Sequence, residues 1–131
     1  MHLSAQAHDV EAVGAQFVRS LAARDRRRLF EVLHPQLDFR AMRESRSYRA
    51  TSAERVVDDL MFGDWFYAAD HVDVEDAVHE AAGDRARLRY RLRVTESEHV
   101  FCVDHRAYID VRDGRITWMS IMCSGSRSAV T

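Results

Sequence analysis

The amino-acid sequence predicts an α+β fold, with N-terminal helices packed on one face of a curved, mainly antiparallel sheet. Three observations carry this. Apolar residues recur at helical spacing in the first half of the chain and at every second position from Val72 onward. The stretch Arg85–Val94 has arginine at 85, 87, 89, 91 and 93, with Leu88, Tyr90, Leu92 and Val94 on the other parity. Successive strand side chains point to opposite faces, so one face is charged and the other apolar. Finally, Asp113-Gly114 stands between two apolar alternations, a strong hairpin signal. Helices first and a strand meander last give α+β.

Each element has a local reason. Over residues 4–24, Val10, Val13, Phe17 and Leu21 form one helical stripe, weakened at its centre by Gly14. Asp25 is placed to cap a second short helix with Leu29, Phe30 and Leu33, which His34-Pro35 ends. Leu37–Met42 is a short strand, and Arg43–Arg49 a loop or ragged hairpin. Thr51-Ser-Ala-Glu54 matches a capping box with Thr51 as the cap. It opens a helix carrying Val56, Val57, Leu60 and Met61, with Gly63 as the expected stop. Trp65, Phe66 and Tyr67 follow at the exit. Val72, Val74 and Val78 then alternate with Asp73, Glu75 and His79, up to a turn at Ala82-Gly83-Asp84. After the arginine strand, Phe101, Val103, Ala107, Ile109 and Val111 share one parity, and Ile116–Cys123 is the last strand.

The chain has 131 residues and neither linker nor repeat, so residues 1–131 read as a single domain. With 47% hydrophobic and 31% charged residues it can bury a core. The net charge of -2 gives no overall basic field for nucleic acid, although every basic residue other than histidine is arginine. Cys102 and Cys123 have no spacing of a disulfide framework or metal motif and read as reduced packing residues. The N-terminus lacks a secretory pattern and no apolar run is long enough to span a membrane, so a cytoplasmic protein without a membrane partner is expected. No phosphate loop, nucleophile elbow or zinc motif is present; no cofactor and no metal are expected.

The order helix, helix, short strand, helix, long strands resembles the nuclear transport factor 2-like superfamily, which includes ketosteroid isomerases and SnoaL-like polyketide cyclases. The resemblance rests on Phe17 and Leu21 before Asp25, on Leu33-His34-Pro35 leading into a strand, and on the Val111-Arg-Asp-Gly-Arg-Ile116 hairpin. The Cys123-Ser-Gly-Ser-Arg127 tail looks like bacterial members. The resemblance implies a cone-shaped sheet closed by helices around a pocket, and a homodimer through the outer sheet face. It does not transfer the isomerase mechanism. Ala107 and Arg40 or Ala41 stand near the positions of that enzyme's two aspartates, and Asp38 and Glu44 have the wrong parity or a loop position.

If the apolar parity of each strand faces the pocket, three polar residues break it: Asp76, Tyr90 and His105. A three-residue turn at 82–84 sets Asp76 opposite Tyr90, and pairing Val94 with Phe101 sets Tyr90 opposite His105. The three then form a row in hydrogen-bonding reach, with His105 as general acid or base, oriented by Asp76 and Tyr90. The other reading is a buried cluster that only fixes register. Trp65, Tyr67, Leu88, Leu92, Val103, Trp118 and Met119 are the expected substrate-binding residues. A two-residue turn at Asp113-Gly114 turns Trp118, Ser120 and Met122 inward; a glycine bulge turns Met119, Ile121 and Cys123 inward instead. A strand apolar on both faces suits a pocket on one side and a second subunit on the other.

Two function classes follow. One is a cofactor-free acid/base enzyme, an isomerase, cyclase or dehydratase, acting on a hydrophobic polyketide- or terpenoid-like molecule. The other is a non-catalytic ligand-binding or dimerising accessory protein. They part on one feature: whether the polar residues open into a cavity or lie sealed beneath other side chains. Asp70-His71 reads as a helix end at a strand entrance rather than a gate.

Overall fold

A computed structural model of the chain describes residues 2–43, 46–83 and 85–128; Glu44 and Asp84 lie outside the described residues, as do the side chains of His2 and His8. Helix α1 (His2–Ala23) buries Val10, Val13, Phe17 and Leu21 against the sheet. A Cβ on Gly14 would come within 2.6 Å of Leu88 Cδ2, so the missing side chain lets α1 press on the strand beneath it. Asp25 caps α2 (Arg26–Val32): its Oδ1 accepts the Arg28 backbone N–H at 3.1 Å. The helix stops at Val32, and Leu33 already begins strand β1 (Leu33–Arg43). Pro35 is tolerated there because the pairing of β1 is interrupted between Leu33 and Asp38.

The stretch after β1 is a hairpin with β2 (Arg46–Ala50). The following helix differs from expectation at both ends. Ser52, not Thr51, caps it, its Oγ accepting the Arg55 N–H at 3.3 Å. Residues Arg55–Trp65 then wind as a π-helix, which runs through Gly63 instead of stopping there. A Cβ on Gly63 would stand 2.5 Å from the Asp58 carbonyl oxygen, five residues back. Only glycine fits the wide turn at that point. The winding closes with the Phe66 N–H donating to the Met61 carbonyl at 2.8 Å, again five residues back.

Four long strands complete the fold: β3 (His71–Ala82), β4 (Arg85–Glu96), β5 (His99–Arg112) and β6 (Arg115–Ser128). The sheet order is β2-β1-β6-β5-β4-β3, antiparallel except for the parallel pair β1 and β6. Helix α1 lies across β3, β4 and β5. The inner parity of β4, from Ala86 to Val94, and that of β5, from Val103 to Ile109, are buried beneath the helices. The arginine parity of β4 faces out, where Arg85, Arg87, Arg91 and Arg93 meet Asp110, Glu80, Asp104 and Glu75. No helix among the described residues is long and apolar enough to cross a membrane.

Candidate functional site

The polar centre of the inner face lies on β4 and β5. These strands pair Val94 with Phe101, Leu92 with Val103 and Tyr90 with His105. The Tyr90 hydroxyl oxygen is 3.0 Å from His105 Nδ1, a buried hydrogen bond. Both residues are about 1% exposed. Trp65 meets the imidazole edge-on with centroids 5.6 Å apart, Phe66 tilts over it at 6.5 Å, and Phe17 meets the Tyr90 ring at 6.5 Å. The exit of the π-helix therefore covers the pair. Outside that cover, Tyr48 packs edge-on to Trp65 at 5.7 Å and the Arg43 guanidinium lies 5.5 Å from its ring. The Tyr48 hydroxyl donates to Asp64 at 3.1 Å, tying the β1–β2 hairpin to the π-helix.

The electrostatics follow from this burial. Desolvation, helped by Arg43 and weakly opposed by Asp104, lowers the His105 pKa to about 3. Burial also raises the Tyr90 pKa, so the phenol stays protonated. The pair is thus neutral at physiological pH. One buried polar atom beside it has no partner among the described residues: the indole Nε1 of Trp65.

Asp76 does not join this row. Strand β3 carries a bulge between Val74 and Asp76, and Ala82 pairs directly with Arg85. The connection is thus two residues long, one shorter than expected, with Gly83 at φ +67°. Val78 pairs with Arg89 and Asp76 with Arg91, while Ala77 stands opposite Tyr90 and His79 opposite Leu88. The bulge swaps the parity of β3, so Val72 and Val74 lie opposite the inner residues Val94 and Leu92 but Asp76 and Val78 face out. Periodicity alone cannot see one inserted residue. On the other side of His105 stands Cys123, which is buried.

The remaining expected contact residues divide. Leu88, Leu92 and Val103 are buried beside the pair on β4 and β5, Met119 is buried farther along the core opposite Ile109, and Trp65 forms the cover. Trp118 lies on the outer face, opposite Asp110, with the Arg85 guanidinium 4.4 Å from its ring. The β5–β6 pairing shifts between Asp110 and Val111, and Met119, Ile121 and Cys123 turn inward. Tyr67 is 77% exposed, just beyond the cover. His71 is exposed beside Asp73, and Arg40 beside Asp38. Phe66 and Arg43 are the neighbours of His105 that periodicity does not reveal, because they come from a helix exit and a hairpin end. Among the described residues no three His, Cys, Asp or Glu side chains cluster as a metal site would. Among the described residues, cavities open at the outer face and the β3–β4 end of the sheet; Asp76, Tyr90 and Cys123 border one of them, although Tyr90 is only about 1% exposed, and His105 borders none of these.

No family model and no curated protein matches the chain. Solved structures do. An LEH-like epoxide hydrolase from M. tuberculosis superposes with TM-score 0.71 at 14% identity, covering 90% of this chain and 84% of that one. A nuclear transport factor 2-like protein from Burkholderia thailandensis superposes with TM-score 0.70 at 15% identity, covering 87% and 89%. A candidate polyketide cyclase from Xanthomonas campestris does so with TM-score 0.69 at 14% identity, covering 89% and 91%. The fold is that of the nuclear transport factor 2-like proteins, a group whose members include isomerases, cyclases and hydrolases.

Proposed function

We propose that this protein binds a hydrophobic small molecule of polyketide or terpenoid type on the inner face of the sheet, and does not transform it. The observation that carries this is the closed Tyr90–His105 pair beside the unpartnered Trp65 indole N–H. A buried donor without a partner costs about 1–3 kcal/mol, and a ligand carbonyl or hydroxyl would recover it. Entry requires Trp65 and Phe66 to swing aside, after which Leu92 and Val103, the strand neighbours of Tyr90 and His105, supply an apolar wall. Proton transfer is disfavoured on two counts. No carboxylate reaches the imidazole among its described partners, and its pKa of about 3 lies far below the working pH a general base needs.

A cofactor-free acid/base enzyme is the second reading. It is supported by the Tyr90–His105 hydrogen bond itself, and by the epoxide hydrolase and candidate cyclase among the neighbours in fold. A homodimer accompanies either reading. Met42 and Met122 are direct partners across β1 and β6 and both stand exposed on the outer face, an apolar patch suited to a second copy.

The test is fluorescence titration with the terpenoid ketone carvone in a Trp118→Phe background, where Trp65 is the sole indole. Saturable quenching of Trp65 emission, together with carvone binding by calorimetry that is lost in Trp65→Ala, supports the proposal. Carvone binding that survives Trp65→Ala and leaves Trp65 emission unchanged refutes it.

A further inference from the structure

The outer face of β4 carries a charge pattern that the inner site does not use. Four of its five arginines meet a carboxylate across the strands. Arg89 is the exception. Its direct partner on β5 is Arg106, and neither side chain makes an ion pair among the described residues. Like charges directly opposite each other on neighbouring strands are destabilising. Of the carboxylates nearby, Asp104 is already held by Arg91 and Arg127, and Glu80 by Arg87. The two guanidiniums share a cavity of about 420 Å³ with Val78, Tyr108, Ser120 and Met122, and with Glu80, whose carboxylate Arg87 holds at the same cavity. Its size is that of a small-ligand site.

We propose that Arg89 and Arg106 form an oxyanion-binding site for an amphipathic acid, a carboxylate or phosphate head with a short apolar body. Two planar guanidiniums one strand apart match the paired oxygens of such a head group. Val78, Tyr108 and Met122 offer the body an apolar bed, and Ser120, opposite Tyr108, adds a hydroxyl. The site lies on the opposite side of the sheet from Tyr90 and His105, but it shares Met122, the direct partner of Arg106, with the methionine patch proposed to join two copies, so ligand binding there and pairing through that patch should compete. Asp76 lines the adjoining cavity beside Arg89 and weakens the positive field there.

Calorimetric titration with sodium octanoate, octyl phosphate, inorganic phosphate and octanol tests this. Octanoate or octyl phosphate should saturate one site, and the better of the two identifies the head group; octanol should not bind there. Arg89→Gln and Arg106→Gln should each weaken binding about tenfold, the loss of one charge-assisted contact. Asp76→Asn should tighten it. Arg27→Gln on α2 and Trp65→Ala at the inner cover should leave it unchanged, separating this site from general screening and from the inner face. Equal affinity in Arg89→Gln, Arg106→Gln and wild type overturns the proposal. So does loss of binding in Trp65→Ala, or a change of oligomeric state in the arginine variants with octanoate binding intact.

Discussion

The Tyr90 hydroxyl and His105 Nδ1 satisfy one another in a site formed almost wholly of carbon, and that placement decides the charge of both. The histidine pKa moves down, from 6.5 to about 3, because burial penalises the imidazolium. A folded-state pKa below the unfolded value stabilises the fold fully above pH 6.5. That stability is lost as pH falls from 6.5 toward 3, by about 1.4 kcal/mol per unit. His105→Gln keeps a hydrogen-bonding side chain without titrating, so urea denaturation at pH 5 and pH 7 should differ less than in wild type. His79 shifts in the same direction through burial beside α1 and leaves a residual slope in the variant. Tyr90→Phe should cost about 1–3 kcal/mol at pH 7, because it strands the imidazole nitrogen. The pairing of Tyr90 with His105 was legible from alternation along two unbroken strands. The placement of Asp76 was not, since Glu75 adds a residue that no parity count detects.

At the scale of elements, regular segments were readable and their irregularities were not. The stripe of Val10, Val13, Phe17 and Leu21 and the alternation of β4 and β5 follow from bulk periodicity. The π-helix does not, since Val56, Val57 and Met61 are buried in either winding. Gly63 reads as a stop because glycine commonly ends helices; here it makes room for the Asp58 carbonyl within one. Gly63→Ala should therefore destabilise the protein by more than the roughly 1 kcal/mol by which alanine ordinarily favours a helix, and with the opposite sign. It should also loosen the cover, since Trp65 ends the same element. Thermal denaturation, with indole emission as the readout for Trp65, checks both effects. In β6 the hairpin at Asp113-Gly114 was clear, with both residues at positive φ, but either parity of the strand is apolar. The irregularity between Asp110 and Val111 selects Met119, Ile121 and Cys123 for the core and leaves Trp118 outside.

For the whole molecule, one sheet serves two surfaces of different chemistry. The inner surface is sealed and neutral; the outer carries arginines, ion pairs and the exposed methionines of β1 and β6. If the methionine patch joins two copies, Met42→Glu with Met122→Glu should give a monomer by light scattering where the wild type gives a dimer. On the reading proposed above, the inner surface holds a hydrophobic ligand without moving a proton. Nuclear magnetic resonance of the protein with carvone in deuterated buffer tests this most directly, reading protein ring signals and ketone α-protons together. The ring signals of Trp65 and His105 should move with carvone while the α-protons exchange no faster than in buffer. Accelerated deuterium uptake that disappears in His105→Gln would contradict the claim and establish acid/base catalysis in its place.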